Sequence, residues 1–446
     1  MRRSALQRTD GVKRLRTAIA RALYSTLLRL ALPAYIARLW WRGAAEPAYR
    51  LFLAERLGVS GADVGTGRLW LHAVSLGETR AAAALIGALR EQIPGLRLLL
   101  THGTATGREA GRTLLHDGDA QAWLPVDTPG AVRRFLRAHR PQVGVVMETE
   151  VWPNLLSEAQ RQGVPMVLAN ARLSERSRAK GQRLAALLHP ALATFSRVLA
   201  QSDADAARLG ASGATSVQVM GNLKYDLTPA PALLARGTAW RAAIARPLVL
   251  AAVTREGEEA ALLQAWRALT TPRPLLLIVP RHPQRFDDVA GLITAAGFTL
   301  RRRSAWADSP PDGARDADVW LGDSLSEMPL YYAAADVALL GGSFAPLGGQ
   351  NLIEAAASGC PLVMGPHTFN FAEAAELSLA AGAAERAADL AAAVQAAVRI
   401  AASPERAAAM SAQAGAFAAG HRGAAARMAG EIAAMWRVAA EQAGLG

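Results

Sequence analysis

Residues 68–78 read Arg68-Leu69-Trp70-Leu71-His72-Ala73-Val74-Ser75-Leu76-Gly77-Glu78. The apolar run Leu69 to Ala73 stops at a serine, and an Ala- and Leu-rich stretch at helical spacing follows from Glu78 to Glu91. A strand with no polar alternation that passes straight into a helix belongs to a parallel sheet covered on both faces. Downstream the pattern repeats. Further strands are expected at Leu96 to Thr101, Val143 to Met147, Pro165 to Ala169, Val198 to Ala200 and Val217 to Val219, with a helix at Pro129 to His139 among those between them. A second series follows at Leu248 to Ala252, Leu275 to Pro280, Val319 to Leu321, Val337 to Leu340 and Pro361 to Met364. The stretch Asn222 to Pro231, with two prolines and no periodicity, separates the two series as a linker. The expected fold class is α/β, with two Rossmann-like doubly wound domains facing across a cleft. The expected boundaries are residues 1–45 for a basic amphipathic membrane-associated segment, 46–226 for the first domain and 227–446 for the second with its terminal helices.

Composition agrees with a folded body. Of 446 residues, 51% are hydrophobic and 19% charged, which excludes a disordered chain and a disulfide mini-protein. The single cysteine, Cys360, allows no intrachain disulfide, and its Ser-Gly-Cys-Pro-Leu-Val setting reads as buried strand in a reducing compartment. The net charge of +12 invites a polyanion partner. Its distribution decides which. The first fifty residues hold eleven basic side chains and two acids, a local +9 that leaves +3 for the other 396. A body so nearly balanced has no basic face to track a phosphate backbone, so nucleic acid is not expected.

Thr17 to Trp41 is apolar but broken by Arg21, Arg29 and Arg38, too broken to span a bilayer and without a signal-peptide cleavage site. A basic amphipathic helix lying in a membrane interface fits it, offering Leu27, Leu28, Leu30, Tyr35, Ile36, Trp40 and Trp41 to lipid. An ordinary first helix packed on its own domain, and a poorly inserted single span, are the alternatives.

Several junctions carry candidate chemistry. Ser75 and Glu78 have capping-box spacing, so Glu78 closes a helix start; a carboxylate there can also take a proton from a hydroxyl, as glycosyl transfer requires. Glu148 and Glu150 in Met147 to Asn154 arrive at a strand's carboxyl end, as ligand groups or as partners of the many arginines. His102 to Gly107 offers small hydroxylated residues to sugar or phosphate oxygens. Val279-Pro280-Arg281-His282-Pro283 holds polar heads between prolines, a stiff arrangement suited to phosphate. Gly341-Gly342-Ser343-Phe344 and Gly348 to Glu354 read as a glycine-rich loop and helix start, an anion cradle of inward N–H groups, with Asn351 and Glu354 on one face of the first turn. No metal-ligand spacing is present, so no metal or other cofactor is expected.

At these residues the sequence resembles the bacterial 3-deoxy-D-manno-octulosonic acid (Kdo) transferases, which have the two-domain glycosyltransferase B fold (GT-B). The resemblance runs from about Ala31 to His421. It rests on LWLHAVSLGE (69–78), METEVWPNL (147–155), ANARLSERS (169–177), GNLKYD (221–226), VPRHPQRF (279–286), LGDSLSE (321–327) and the block from GGSF to MGPHTFNF (341–371). It implies transfer of Kdo from CMP-Kdo to the lipid A precursor, lipid IVA, at the cytoplasmic face of the inner membrane, with the phospholipid surface as a partner. By position it implies that Glu78 is the general base. It further implies that CMP is contacted at Pro280 and Arg281, at Leu325, Ser326 and Glu327, and at Asn351, Leu352, Ile353 and Glu354, with Gly342 and Ser343 in the glycine-rich loop. Three positions depart from the family pattern. Gln350 stands in a Gly-Gly-His-Asn, Val253-Thr254-Arg255 replaces Ser-Thr-His, and Ser324-Leu325-Ser326 replaces Thr-Met-Gly. The competing readings are another two-domain nucleotide-sugar enzyme, a UDP-sugar transferase or epimerase, and a non-catalytic membrane polyanion-binding protein.

Overall fold

A computed structural model describes residues 2–60 and 67–442. Two compact units are present, one of residues 1–226 with 423–446, the other of residues 227–422.

The first unit is built on a seven-stranded sheet. Its strands are β1 Leu69–His72, β2 Leu98–His102, β3 Ala120–Trp123, β4 Val143–Met147, β5 Met166–Ala171, β6 Arg197–Ala200 and β7 Val217–Val219. They lie in the order β3-β2-β1-β4-β5-β6-β7, and every pairing is parallel. All four residues of β1 are buried, as a strand covered on both faces requires. One face of the sheet packs on the helix Leu76–Gln92 through Leu85, Ile86 and Leu89, and the other on Phe135, Leu136, Leu155 and Leu156.

The second unit repeats the plan. β8 Leu248–Thr254, β9 Leu275–Pro280, β10 Leu300–Arg302, β11 Val319–Leu321, β12 Val337–Leu340, β13 Leu362–Met364 and β14 Ala384–Arg386 form a parallel sheet ordered β10-β11-β9-β8-β12-β13-β14. In each sheet the chain starts in the interior, winds outward, then returns to the other side. The reversal falls between β1 and β4 in the first unit and between β8 and β12 in the second, and ligands of doubly wound sheets sit at the strand carboxyl ends beside such a reversal.

The sequence-based boundaries need two corrections. The helix Ala424–Gln442 belongs to the first unit, not the second. Met428, Ala429, Ile432 and Ala433 enter the core against the helix Leu76–Gln92, and the Asp226 carboxylate accepts from the N–H groups of Gly423 and Ala425 at the helix start. Its Ala-rich pattern announces a helix but not which sheet the helix covers.

The segment 1–45 is not a body of its own either. Arg2–Arg42 is one helix within the first unit, and its inner face is tied down by polar contacts. Ser25, 5% exposed, donates to Asn154 Oδ1 at 3.1 Å, Tyr24 donates to Asp127 at 3.0 Å, and Arg21 donates to Ser157. The outer face bears an apolar stripe of Leu15, Ile19, Leu23, Leu27 and Leu30, all exposed. Among the described residues, no helix is long and apolar enough to cross a membrane.

Candidate active site

In the first unit the reversal between β1 and β4 brings together three glutamates. Ser75 caps the helix Leu76–Gln92, accepting from Glu78 N–H at 3.4 Å and donating to Glu78 Oε1 at 3.1 Å. Glu78 Oε2 accepts the N–H of Val74 at 2.8 Å, so the carboxylate is clamped where β1 ends. Burial raises the Glu78 pKa, against the lowering bond from Val74, and the charge of Glu148 adds to the rise. Glu148 closes β4 with a φ of 58°, is buried, and accepts from Arg172 Nε at 2.8 Å. Glu150 is pushed up to about 7, first by burial and then by the negative charge of Glu78. The acid that completes the capping box is thus also the candidate proton acceptor.

In the candidate ligand loop His102 to Gly107, two polar side chains are committed within the protein. His102 is fully buried with Nδ1 on the carbonyl of Ala73, and burial drops its pKa to about 4. Thr104 spends its hydroxyl capping the helix Ala105–Arg112 and bonding to Val74 O.

In the second unit the strand ends at the reversal collect the predicted donor residues. β8 bulges at Val253, which sits at φ 58°, a left-handed conformation that costs a β-branched residue roughly 1–3 kcal/mol. Gly341 passes so close over this bulge that a Cβ would stand 2.3 Å from Val253 O. Arg281 follows β9 with its N–H on Thr254 O at 2.9 Å, and its exposed side chain has no ion pair among the described residues. Its neighbour Arg285 is neutralised by Glu259 in a two-pronged pair at 2.7 and 3.1 Å.

The glycine-rich loop differs from the open anion cradle expected of it. Gly342, at φ 69°, directs its N–H at Glu258, whose two carboxylate oxygens both lie 2.9 Å away, and the N–H of Arg255 reaches the same carboxylate at 2.8 Å. A carboxylate of the protein itself fills that cradle. Ser343 is buried, donating to Leu340 O and accepting from Gly365 N–H, so its hydroxyl is structural. Gln350 and Arg255, two of the departures from the family pattern, both border Gly342. A Cβ there would lie 3.1 Å from Gln350 Nε2 and 3.5 Å from Arg255 Cγ. No hydrogen bond or ion pair engages the Arg255 guanidinium among the described residues.

The helix Leu352–Ala357 starts at Asn351, whose side chain accepts from Ile353 N–H at 3.2 Å. Leu352 and Ile353 are buried, which leaves them only backbone groups to offer a ligand, and Glu354 lies beside Tyr332. In the loop after β11, Leu325 is 68% exposed and Ser326 takes φ 61°. Glu327 is committed to Arg303 at 2.9 Å, Arg236 at 3.3 Å and the Ser324 hydroxyl at 2.6 Å. Pro280 ends β9 beside this loop's strand. Among the described residues no cluster of three metal-ligating side chains occurs.

Sequence reasoning did not assign Glu258 or Arg172. Both are visible as charges, but their partners lie 84 and 24 residues away, and nothing in the local pattern links them.

Comparison with known proteins adds the chemistry. A family model described as 3-deoxy-D-manno-octulosonic-acid transferase (kdotransferase) matches residues 52–227. The 3-deoxy-D-manno-octulosonic acid transferase of Bordetella pertussis is 51% identical over 387 residues, covering 83% of this chain and 89% of the relative. That of Haemophilus influenzae is 36% identical over 363 residues, covering 79% and 84%. The crystal structure of Anabaena HepE with UDP has the same fold, with a TM-score of 0.54 at 16% identity over 82% of this chain and 99% of that one. With two relatives of 51% and 36% identity matched over most of their length, the chain belongs to the 3-deoxy-D-manno-octulosonic acid transferases.

Proposed function

We propose that this enzyme transfers Kdo from CMP-Kdo to the lipid A precursor, with inversion, at a membrane surface on the cytoplasmic side of the inner membrane. The observation that carries the reading is the Glu78 carboxylate, clamped by Val74 N–H and Ser75 at the reversal of the first sheet, with a pKa raised by burial. A base works best when its pKa approaches the working pH. Glu78 takes the proton of the acceptor's primary hydroxyl as that oxygen bonds to the anomeric carbon of Kdo. The bond from this carbon to the CMP phosphate oxygen breaks on the opposite face, and CMP leaves with the electron pair. Developing negative charge on the phosphate needs fixed cations. Arg281 and Arg255, guanidiniums at adjoining strand ends with no acidic partner among the described residues, supply them. Glu258 holds the glycine-rich loop in shape rather than leaving it open to the phosphate. Asn351 and the backbone of Leu352, Ile353 and Glu354 hold the nucleotide from β12's side, and the loop Leu325 to Glu327 from β11's.

The exposed stripe Leu15 to Leu30, with Arg16 and Arg29 beside it, supports docking on an anionic bilayer. Mass spectrometry of the product formed from CMP-Kdo and tetra-acylated lipid A precursor tests substrate and stoichiometry together. A mass increase by one or more Kdo units is expected. An unmodified acceptor alongside turnover with a UDP-sugar would reject the reading.

A further inference from the structure

A cavity of about 190 Å³ lies in the first unit beside the Glu148–Arg172 pair. Its floor is Leu168, Leu192 and Leu209, all buried, with Leu188 and Val151 on its walls. Its cover is the helix Glu175–Gln182, which buries none of its own residues. A helix with no apolar face toward the protein gains little from packing, so it covers the apolar floor without filling it. The chain around this cover carries net positive charge, with Arg172, Arg176, Arg178, Lys180 and Arg183 against the single acid Glu175; Arg172 and Arg178 line the cavity, paired with Glu148 and Glu175, and the other three lie beyond its lining. An apolar floor under a basic rim matches a ligand that joins a hydrocarbon chain to a phosphate.

Position narrows the ligand further. Glu148 at the edge of the cavity is charge-coupled to both Glu78 and Glu150, so the cavity adjoins the proton-accepting site. The N-terminal helix packs against the helix Ala185–Leu192, which supplies Leu188 and Leu192, and Leu184 just before it is 57% exposed. At about 30 Å³ per water-sized group, the cavity holds on the order of six methylenes.

We infer that this cavity takes the end of one fatty acyl chain of the phosphorylated lipid acceptor, with the basic groups of the covering segment outside the cavity, Arg176, Lys180 and Arg183, facing its phosphate. The inference rests on the lipid acceptor proposed above and makes the acyl chain a specificity element of that site. Two variants of the full-length enzyme test it. Leu188→Trp fills the cavity from its wall. Gly181→Leu fills it from the cover, where a Cβ meets only Leu188 Cδ1 at 3.6 Å, and stands in if the first variant does not fold. KM and kcat are measured with CMP-Kdo and two acceptors, the tetra-acylated precursor and its fully deacylated bisphosphorylated disaccharide. The expected result is a KM at least tenfold lower for the acylated acceptor in the wild type. In the variants that KM rises at least tenfold, while kcat and the KM of the deacylated acceptor stay unchanged. Equal wild-type KM values for both acceptors, or an unchanged KM in a folded variant, overturn the acyl site and leave the transferase reading standing. A wild type that transfers Kdo to neither acceptor overturns that reading itself.

Discussion

Both oxygens of the Glu258 carboxylate lie 2.9 Å from the backbone N–H of Gly342, 84 residues away in the chain. The contact joins the helix after β8 to the glycine-rich loop after β12, across the reversal of the second sheet. A buried acceptor removed from such donors leaves them unsatisfied, at about 1–3 kcal/mol. Glu258→Ala is therefore expected to lower unfolding stability by that amount in urea titration and to weaken CMP binding at least tenfold by calorimetry, because the loop loses its anchor. Unchanged values of both would mean that the loop keeps its shape by other means.

Arg255 and Gln350 flank the same Gly342, and both depart from the family's histidines. If they form a pair suited to the donor phosphate, Arg255→Ala weakens CMP at least tenfold and leaves free cytidine unaffected. Arg255→His combined with Gln350→His recovers more affinity than the two single changes predict by addition. Titration calorimetry of the wild type and these four variants with CMP and cytidine checks both statements.

Burial, and after it the charge of Glu78, opposes ionisation of Glu150 and pushes its pKa from 4.5 up to about 7. The folded state therefore binds more protons than the unfolded chain between those two values, and stability falls as pH rises through that window. Discounted for its partial exposure, the effect is about 2 kcal/mol. Glu150→Gln is expected to be more stable than the wild type at pH 8 and equal to it at pH 4.5, as urea midpoints at several pH values would show. A wild-type profile flat from pH 4.5 to 7 would contradict this.

The outer stripe of the N-terminal helix is exposed, whereas Ser25 and Tyr24 on the inner face hold partners. Leu23→Glu with Leu27→Glu should leave the melting temperature nearly unchanged, since exposed positions rarely move stability by more than about 0.5 kcal/mol. The same pair should abolish co-sedimentation with anionic phospholipid vesicles. Asn154→Ala should do the reverse, lowering the melting temperature and sparing vesicle binding.

The interior strands were readable because burial on both faces turns them into unbroken apolar runs, as in Leu69 to His72 and Leu275 to Pro280. The three that went unread, Ala120–Trp123, Leu300–Arg302 and Ala384–Arg386, are all edge strands, each with residues outside the core, so their pattern is diluted. Glu78 was legible because its two anchors, Val74 and Ser75, lie within one turn of chain. The filling of the Gly342 cradle by Glu258 was not, because it depends on which strands become neighbours in the sheet. The Ala424–Gln442 helix shows the same limit: its helicity is local, while its docking on the first sheet is a matter of tertiary packing.

In the proposed reaction Glu78 removes the acceptor proton. Glu78→Gln keeps the size of the side chain and an oxygen for Val74 N–H but cannot accept that proton. Single-turnover transfer from CMP-Kdo to the lipid A precursor should slow by about 100- to 10,000-fold, the range of a positioned general base, with CMP affinity and melting temperature unchanged. A folded Glu78→Gln enzyme that transfers Kdo at near the wild-type rate would contradict the account.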